Sequence, residues 1–343
     1  MLIMTEMLPF VSPARSLGDA LAERARLAAV SDHWPTAVDS FRLCARLGDA
    51  IAVQPSTICM LVGADIQTKA LTEARHLLNE YGLSSETAAQ ISDIVSDLID
   101  VPGERAVEIN HLDTRDALQW THGAGGYALP LVTLFDSVVT SGGLVGMTPV
   151  DPENDERTLM RAAIARWYLA THAENIALAD RWHDGLASRA ARPFPSRWDD
   201  WPPAELSAAI KDPRHAVLAY FLAKIERAVD EQDVLDLQRG ATLIMTAIER
   251  YTARHQQPPD TLRKLTPGFL DTLPNDPLSG EPFGYRRLDD DPHNRAYVLY
   301  SLGPDRVDDG ALPEQPPSTI ELIFRPEDVD IVLNPPRREG LGR

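Results

Sequence analysis

The chain has little that would staple it, anchor it in a bilayer or make it positive. Its 343 residues hold two cysteines, Cys44 and Cys59. No C-x-x-C pair occurs, so neither a zinc ribbon nor a dithiol redox motif is available. The two thiols read as small apolar core residues, and nothing else in the sequence demands the oxidising compartment a disulfide would need. No run of about 18 apolar residues occurs, so no membrane span is expected. The opening MLIMTEMLPFVSPARS is apolar, but it carries Glu6, Pro9 and Pro13 and lacks the basic start of a secretory leader. That points to the cytoplasm, or to the envelope if the true start lies upstream, and the compartment stays open. Basic residues are scarce, 33 against 51 acidic, for a net charge of −18. Such a balance repels phosphate backbones and anionic lipid, which argues against a nucleic-acid partner. It suits cations and basic protein partners.

Catalytic signatures are missing as well. There is no G-x-S-x-G, no H-E-x-x-H and no S-x-x-K with its companions. The cluster His122–Gly126, HGAGG, is not followed by the Lys-Ser/Thr helix of a phosphate loop and reads as a tight turn. His172 and His183 share one expected helix at about 16 Å along its axis, too far to share an ion. His111, His122 and His215 lack partners at ligand spacing, so no zinc or iron site is expected. Acid pairs such as Asp199 with Asp200 and Glu226 with Asp230 read as solvated faces.

What remains is mostly helix, on a normal hydrophobic fraction of 44%. Apolar periodicity predicts helices over Leu17–Val30 and from Thr36 to about Val53, broken by Pro35 and closed by Pro55. A third runs from Thr57 to Tyr81 and stops at Gly82; a fourth starts at Ser84 or Ser85 and ends near Ile99; a fifth runs from Glu104 to about Trp120. Ala25, Ala28, Ala37 and Phe41 give the first pair the look of a tetratricopeptide helix hairpin, but no second copy follows at that period. Leu129–Val139, between glycine clusters, is a buried helix or a plug. Asn154 or Asp155 is expected to start a helix reaching Ala190. The segment RPFPSRWDDWPPAEL is either a linker or an ordered clamp across the helical domain, and its two tryptophans favour the clamp. Helix returns from Pro213, first to about Val229 and then to about His255, with an apolar stripe at Ile244, Ala247, Ile248 and Tyr251.

Beyond that helix come turn signals and two strand candidates, Phe283–Leu288 and Ala296–Leu302. The landmarks stand in order: Tyr251, Pro259, Leu262 and Leu265; then Asp276, Pro277, Gly280, Pro282 and Tyr285; then Tyr297, Tyr300, Ser301, Leu302, Gly303 and Asp305; then Asp308, Asp309 and Gly310. This run of about one hundred residues resembles the globular half of the major pseudopilins of type II secretion. Pseudopilins begin with a prepilin-peptidase site and a membrane-spanning helix half, and neither is found here, so pilin-like polymerisation is not expected. The whole arrangement also resembles a planctomycete-type family of helical-bundle proteins carrying such a domain.

The resemblance implies calcium in the acidic turn. The matching ligands are the backbone of Leu302 with Asp305, Asp308, Asp309 and an acid returned by Asp328 or Asp330. A hard cation takes six to eight oxygens, which such a loop can supply. The other reading is a solvated acidic turn.

The expected fold is therefore mainly α: a helical bundle over residues 1–212, then a smaller α+β domain over 213–343. In the second, a pseudopilin-like long helix at about 231–256 packs on a sheet of three or four antiparallel strands at about 283–332. The expected function is a non-enzymatic scaffold or binding protein with a protein partner, secretion- or envelope-associated by resemblance. The alternative is a hydrolase or other enzyme with its site between the two domains. A cleft of converging His, Asp and Arg would mark the second reading, and a flat apolar or acidic face the first.

Overall fold

A computed structural model describes residues 3–122, 169–197, 199–222, 225–289, 291, 295–311 and 330–334. Over these residues the chain is mainly helical, with one small three-stranded antiparallel sheet. The segment Leu129–Val139, the expected helix start at Asn154 or Asp155, Trp198 and Asp328 lie outside the described residues.

Helix α1 spans Ile3–Val30 and so begins well before the expected Leu17. Pro9 and Pro13 lie inside it, and both face water. A proline removes one N–H and frees one carbonyl a turn earlier; on an exposed face solvent satisfies that carbonyl, so the helix passes through. Three residues, Ser31–His33, turn the chain into α2 (Trp34–Ala52). Asp32 takes φ +58° there and accepts the Trp34 indole N–H at 2.8 Å. Ala25, Ala37 and Phe41 are buried in the contact between α1 and α2 and their neighbours.

Helix α3 (Thr57–Tyr81) lies against α2 at a glycine contact. A Cβ on Gly63 would come within 2.6 Å of the Gly48 carbonyl and of the Ala52 methyl. The pair lets the two backbones meet. Gly82, at φ 56°, ends α3 as a left-handed cap, and the Ser84 hydroxyl caps α4 (Ser85–Ser96) by accepting the Thr87 N–H at 3.1 Å.

Helix α5 spans Gly103–His122 and packs on α6 (His172–Ala190). The latter does not continue from an earlier helix. A Thr171–Glu174 capping box starts it, with the Thr171 N–H bound to the Glu174 carboxylate at 2.7 Å. Of the tryptophan segment, Trp201 is packed onto the helices. Its ring meets Trp182 edge-on at 5.1 Å and lies against Gly185, the Arg189 guanidinium stands over it, and its N–H reaches Glu226 at 2.8 Å. Short helices α7 (Phe194–Arg197), α8 (Ala204–Lys211) and α9 (Ala216–Leu222) complete this layer.

Helix α10 runs unbroken over Ile225–His255, where the sequence pattern suggested a division near Val229. No Pro or Gly stands between Ile225 and Arg239, so nothing ends the helix there. It packs on α3, α4 and α5, and Ile244, Ala247 and Ile248 are fully buried.

The sheet has order β1 (Gly284–Arg287), β2 (Tyr297–Ser301), β3 (Ile331–Val332). Gly284 opposes Tyr300, and any Cβ on it would lie 2.3 Å from the tyrosine ring. Two residues make a weak strand, and Asn334 prolongs it. Its side chain accepts the Leu299 N–H at 2.8 Å and donates to the Tyr297 carbonyl at 2.7 Å.

Asp276 ties the loop before the sheet to the end of β2. It is fully buried, and it accepts from the Leu278 N–H, the Ser279 and Ser301 hydroxyls and the Leu302 N–H at 2.7–3.2 Å. Four donors leave a buried carboxylate well satisfied.

The core does not divide at residue 212. One buried cluster holds Phe41, Leu71 and Ile91 from the first helices, Ile244 and Ile248 from α10, and Leu265, Phe283 and Leu299 from the sheet region. A second cluster joins α5, α6, α8, α9 and the start of α10 through Leu118, Leu178, Leu218 and Ile225.

Candidate functional site

Two polar regions stand out against this core. The first is the acidic turn after β2. Positive φ at Gly303, Arg306 and Gly310 bends the chain tightly there. Asp305 accepts the Val307 N–H at 3.2 Å through one oxygen, and its other oxygen is buried with no partner. Asp308 accepts the Gly310 N–H at 3.0 Å and the Tyr300 hydroxyl at 2.9 Å. Burial, with the Asp308 bond second, pushes the Tyr300 phenol up to about 12. Asp330, 3% exposed, accepts the Ala311 N–H at 2.6 Å through one oxygen, and its second oxygen has no partner. Burial raises its carboxyl above the usual range, and the neighbouring Asp308 and Asp309 add to that rise.

The turn therefore brings Asp308, Asp309 and Asp330 within each other's field, and Asp305 contributes a second orphaned oxygen beside them in sequence. Leu302 spends its N–H on Asp276. Calcium is the group the resemblance implies. The donors fit in kind: they are hard carboxylate oxygens, one of them nine-tenths buried and without a hydrogen to accept. Among the described residues no three His, Cys, Asp or Glu side chains converge as a metal cage, so backbone carbonyls or water would have to fill most of the shell.

The second region is the seam between α5 and α6. Here histidines without partners in the sequence acquire them. His111 and His183 stack at 4.5 Å, nearly parallel at 14°. His111 Nε2 lies 2.7 Å from Asp180. His183, 2% exposed, has Nδ1 at 2.7 Å from the Ala179 carbonyl and Nε2 at 2.9 Å from the Asn110 amide. Burial lowers its pKa to about 4, so the ring is neutral near pH 7. Both ring nitrogens thus face an oxygen, the Ala179 carbonyl and the Asn110 Oδ1, and the one N–H of a neutral ring serves one of them. The Asn110 NH2 donates to the Thr57 hydroxyl at 3.3 Å. Beside it Asp113 accepts the Thr57 N–H at 2.7 Å and caps α3, whose own N-cap residue Ser56 makes no capping bond. Burial raises the Asp113 carboxyl.

One helical stretch away, Asn175 is the hub of a second knot. Its NH2 donates to the Ala170 carbonyl at 3.2 Å and toward His122 Nε2 at 3.5 Å, and its oxygen accepts from His215 Nδ1 at 2.8 Å. His122 Nδ1 lies 2.9 Å from the Leu118 carbonyl. The His172 ring lies 5.6 Å from that of His122. Burial lowers the pKa of both His172 and His215.

Among the described residues no hydroxyl or thiol is set against His111 or His183; a carbonyl, an amide and a carboxylate are. The arrangement holds protons in place and lacks a nucleophile for them to activate. Sequence reasoning passed over Asn110 and Asn175. The available signal was their position: amides at helical spacing among Ala106, Val107 and Ile109 on one helix and Leu178 and Ala179 on the other, all buried. Against proteins already known, no family profile, curated protein or solved structure matches the chain.

Proposed function

We propose that this chain is a non-enzymatic scaffold or binding protein, in which a pseudopilin-like helix and sheet are fixed to a helical body and present an acidic, calcium-taking turn to a protein partner. The observation that carries this reading is the filling between sheet and helices, where an inter-domain catalytic cleft would have to lie. Leu262, Leu265, Leu278, Phe283 and Leu299 are buried there against α10. A Cβ on Gly240 of α10 would already touch the Phe283 ring at 3.1 Å. Converging His, Asp and Arg side chains are replaced at this junction by an apolar contact, which favours assembly over chemistry. Among the described residues no helix is long and apolar enough to cross a membrane, which is compatible with a chain that docks onto other proteins.

The acidic turn supplies the docking chemistry. It is exposed at Asp308 and Asp309 and flanked by Val307, 53% exposed. Calcium would relieve the repulsion around Asp330 and rigidify the face. A secretion- or envelope-associated partner follows from the resemblance alone. The test has two arms. Thermal melts with millimolar calcium and with chelator should differ, since a ligand of the folded form alone raises Tm, and Asp330→Asn should abolish the difference. A photo-crosslinker at Val307, used in the native host, should capture the same protein repeatedly, and only with calcium present. Equal melts together with no reproducible adduct would end the proposal.

A further inference from the structure

Helix α1 turns a second apolar face to water. Its inward face is made of Ala14, Gly18, Ala25 and Ala29, all buried. About a third of a turn round stand Phe10, Pro13, Leu17, Ala20, Arg24 and Leu27, all exposed. They follow one another at intervals of three, four, three, four and three residues, the spacing of a helix–helix seam. Phe10, 68% exposed, is the barest large apolar side chain among the described residues.

The intervals read the same in both directions. Reversed against itself about a point between Gly18 and Asp19, the seam sets Phe10 opposite Leu27, Pro13 opposite Arg24 and Leu17 opposite Ala20. Each pair is complementary. At the Leu27 end, α1 and α2 leave a shallow groove lined by Ala20, Leu27, Ala28 and Thr36, and Phe10 is the projecting ring that would fill it. Small Ala20 makes room for Leu17. Pro13 has no N–H, so the Pro9 carbonyl one turn earlier has no helix partner. Arg24 makes no hydrogen bond or ion pair among the described residues, and its guanidinium has donors to give that carbonyl. Knob and hole lie on one face about 25 Å apart, so a two-fold contact makes the same pair twice.

Charge permits the contact here, on a chain that carries −18 overall. Helix α1 holds three acids and three arginines. Most are spent inside one copy: Arg15 on Asp65 at 3.1 Å, Asp19 on Lys69 at 2.8 Å and Glu23 on Arg26 at 2.8 Å. The two Arg24 side chains would stand about 17 Å apart along the axis, beyond the screening length of about 8 Å at physiological salt.

We infer that a second copy of this chain covers the seam: two α1 helices pack antiparallel about a two-fold axis, with Phe10 of each in the Leu27 groove of the other. A strip about 25 Å long and about 10 Å wide is small for a protein interface, so the pair is reversible and concentration-dependent.

Sedimentation velocity on the full chain tests the pairing. The weight-average mass should rise from monomer at about 5 µM toward dimer at about 500 µM. Phe10→Glu and Leu27→Glu should each hold the chain monomeric throughout, with unchanged thermal melts because both side chains are exposed. A monomer at every concentration, or a dimer that survives both substitutions, overturns the inference. Mild oxidation reads the register, with native Cys44 and Cys59 buried out of reach. An equal mixture of Phe10→Cys and Leu27→Cys chains should give about tenfold more linked dimer than either alone, since like positions lie about 25 Å apart. Equal linkage in Phe10→Cys alone would mean parallel helices and would overturn the two-fold arrangement.

Discussion

Arg75 is an arginine where none should be comfortable. It is 4% exposed, with the Gln238 carbonyl at 3.3 Å and the Thr72 hydroxyl at 3.2 Å as partners and, among the described residues, no carboxylate. Burial alone lowers its pKa to about 9, and its Nε has no acceptor. An unpaired buried cation costs more than it returns, so Arg75→Met should raise unfolding free energy by about 1–3 kcal/mol in urea melts. Asp276 predicts the opposite. Its four donors would all be orphaned in Asp276→Ala, and the loss should be about 3 kcal/mol or more, read from the shift in denaturation midpoint. His183 sets a pH dependence. Its folded pKa of about 4 lies below the ordinary 6.5, so the unfolded chain takes up a proton that the folded chain refuses. Stability is full above about pH 6.5 and should fall by about 3 kcal/mol on descent to about pH 4, in melts compared with His183→Gln. The aspartate knot was legible as a landmark order in the sequence, whereas the histidine contacts were not. Asn110 and His183 stand 73 positions apart, and no local spacing announces such a pair.

At the scale of elements, helix ends were the most readable features. Gly82 and Ser84 act by local backbone chemistry, so the sequence states where α3 stops and α4 starts. Helix α1 exceeded its expected start because a proline breaks a helix only when the freed carbonyl lacks a partner, and exposure supplies water. Strand β3 had no period to read, being two residues long and completed by the Asn334 side chain. The α2–α3 crossing rests on Gly48 and Gly63, whose bare backbones meet there. Gly63→Ala would improve helix propensity by about 1 kcal/mol in isolation, yet here it should destabilise the protein by about 2 kcal/mol or more in the same urea assay. Improved stability would mean that the helices can part without loss.

For the whole molecule, the decisive element is α10. The mainly helical composition and the small antiparallel sheet could be anticipated from periodicity and turn residues. Which neighbour each side of that helix would meet could not, because its apolar positions surround it on nearly every side. A fragment of residues 213–343 would expose the faces that α3, α4 and α5 cover. It should bind a hydrophobic dye and show poorly dispersed amide spectra, while the full chain does neither. A well-dispersed spectrum from the fragment would mean that the sheet needs only its own helix.

Helix α10 also meets the sheet that carries the acidic turn, through Gly240 against Phe283. Leverage follows from this: whatever grips the turn near Val307 grips, through β2 and Phe283, a rod of 31 residues running into the far layer of helices. A partner captured at the turn would thus orient the helices as well as tether them.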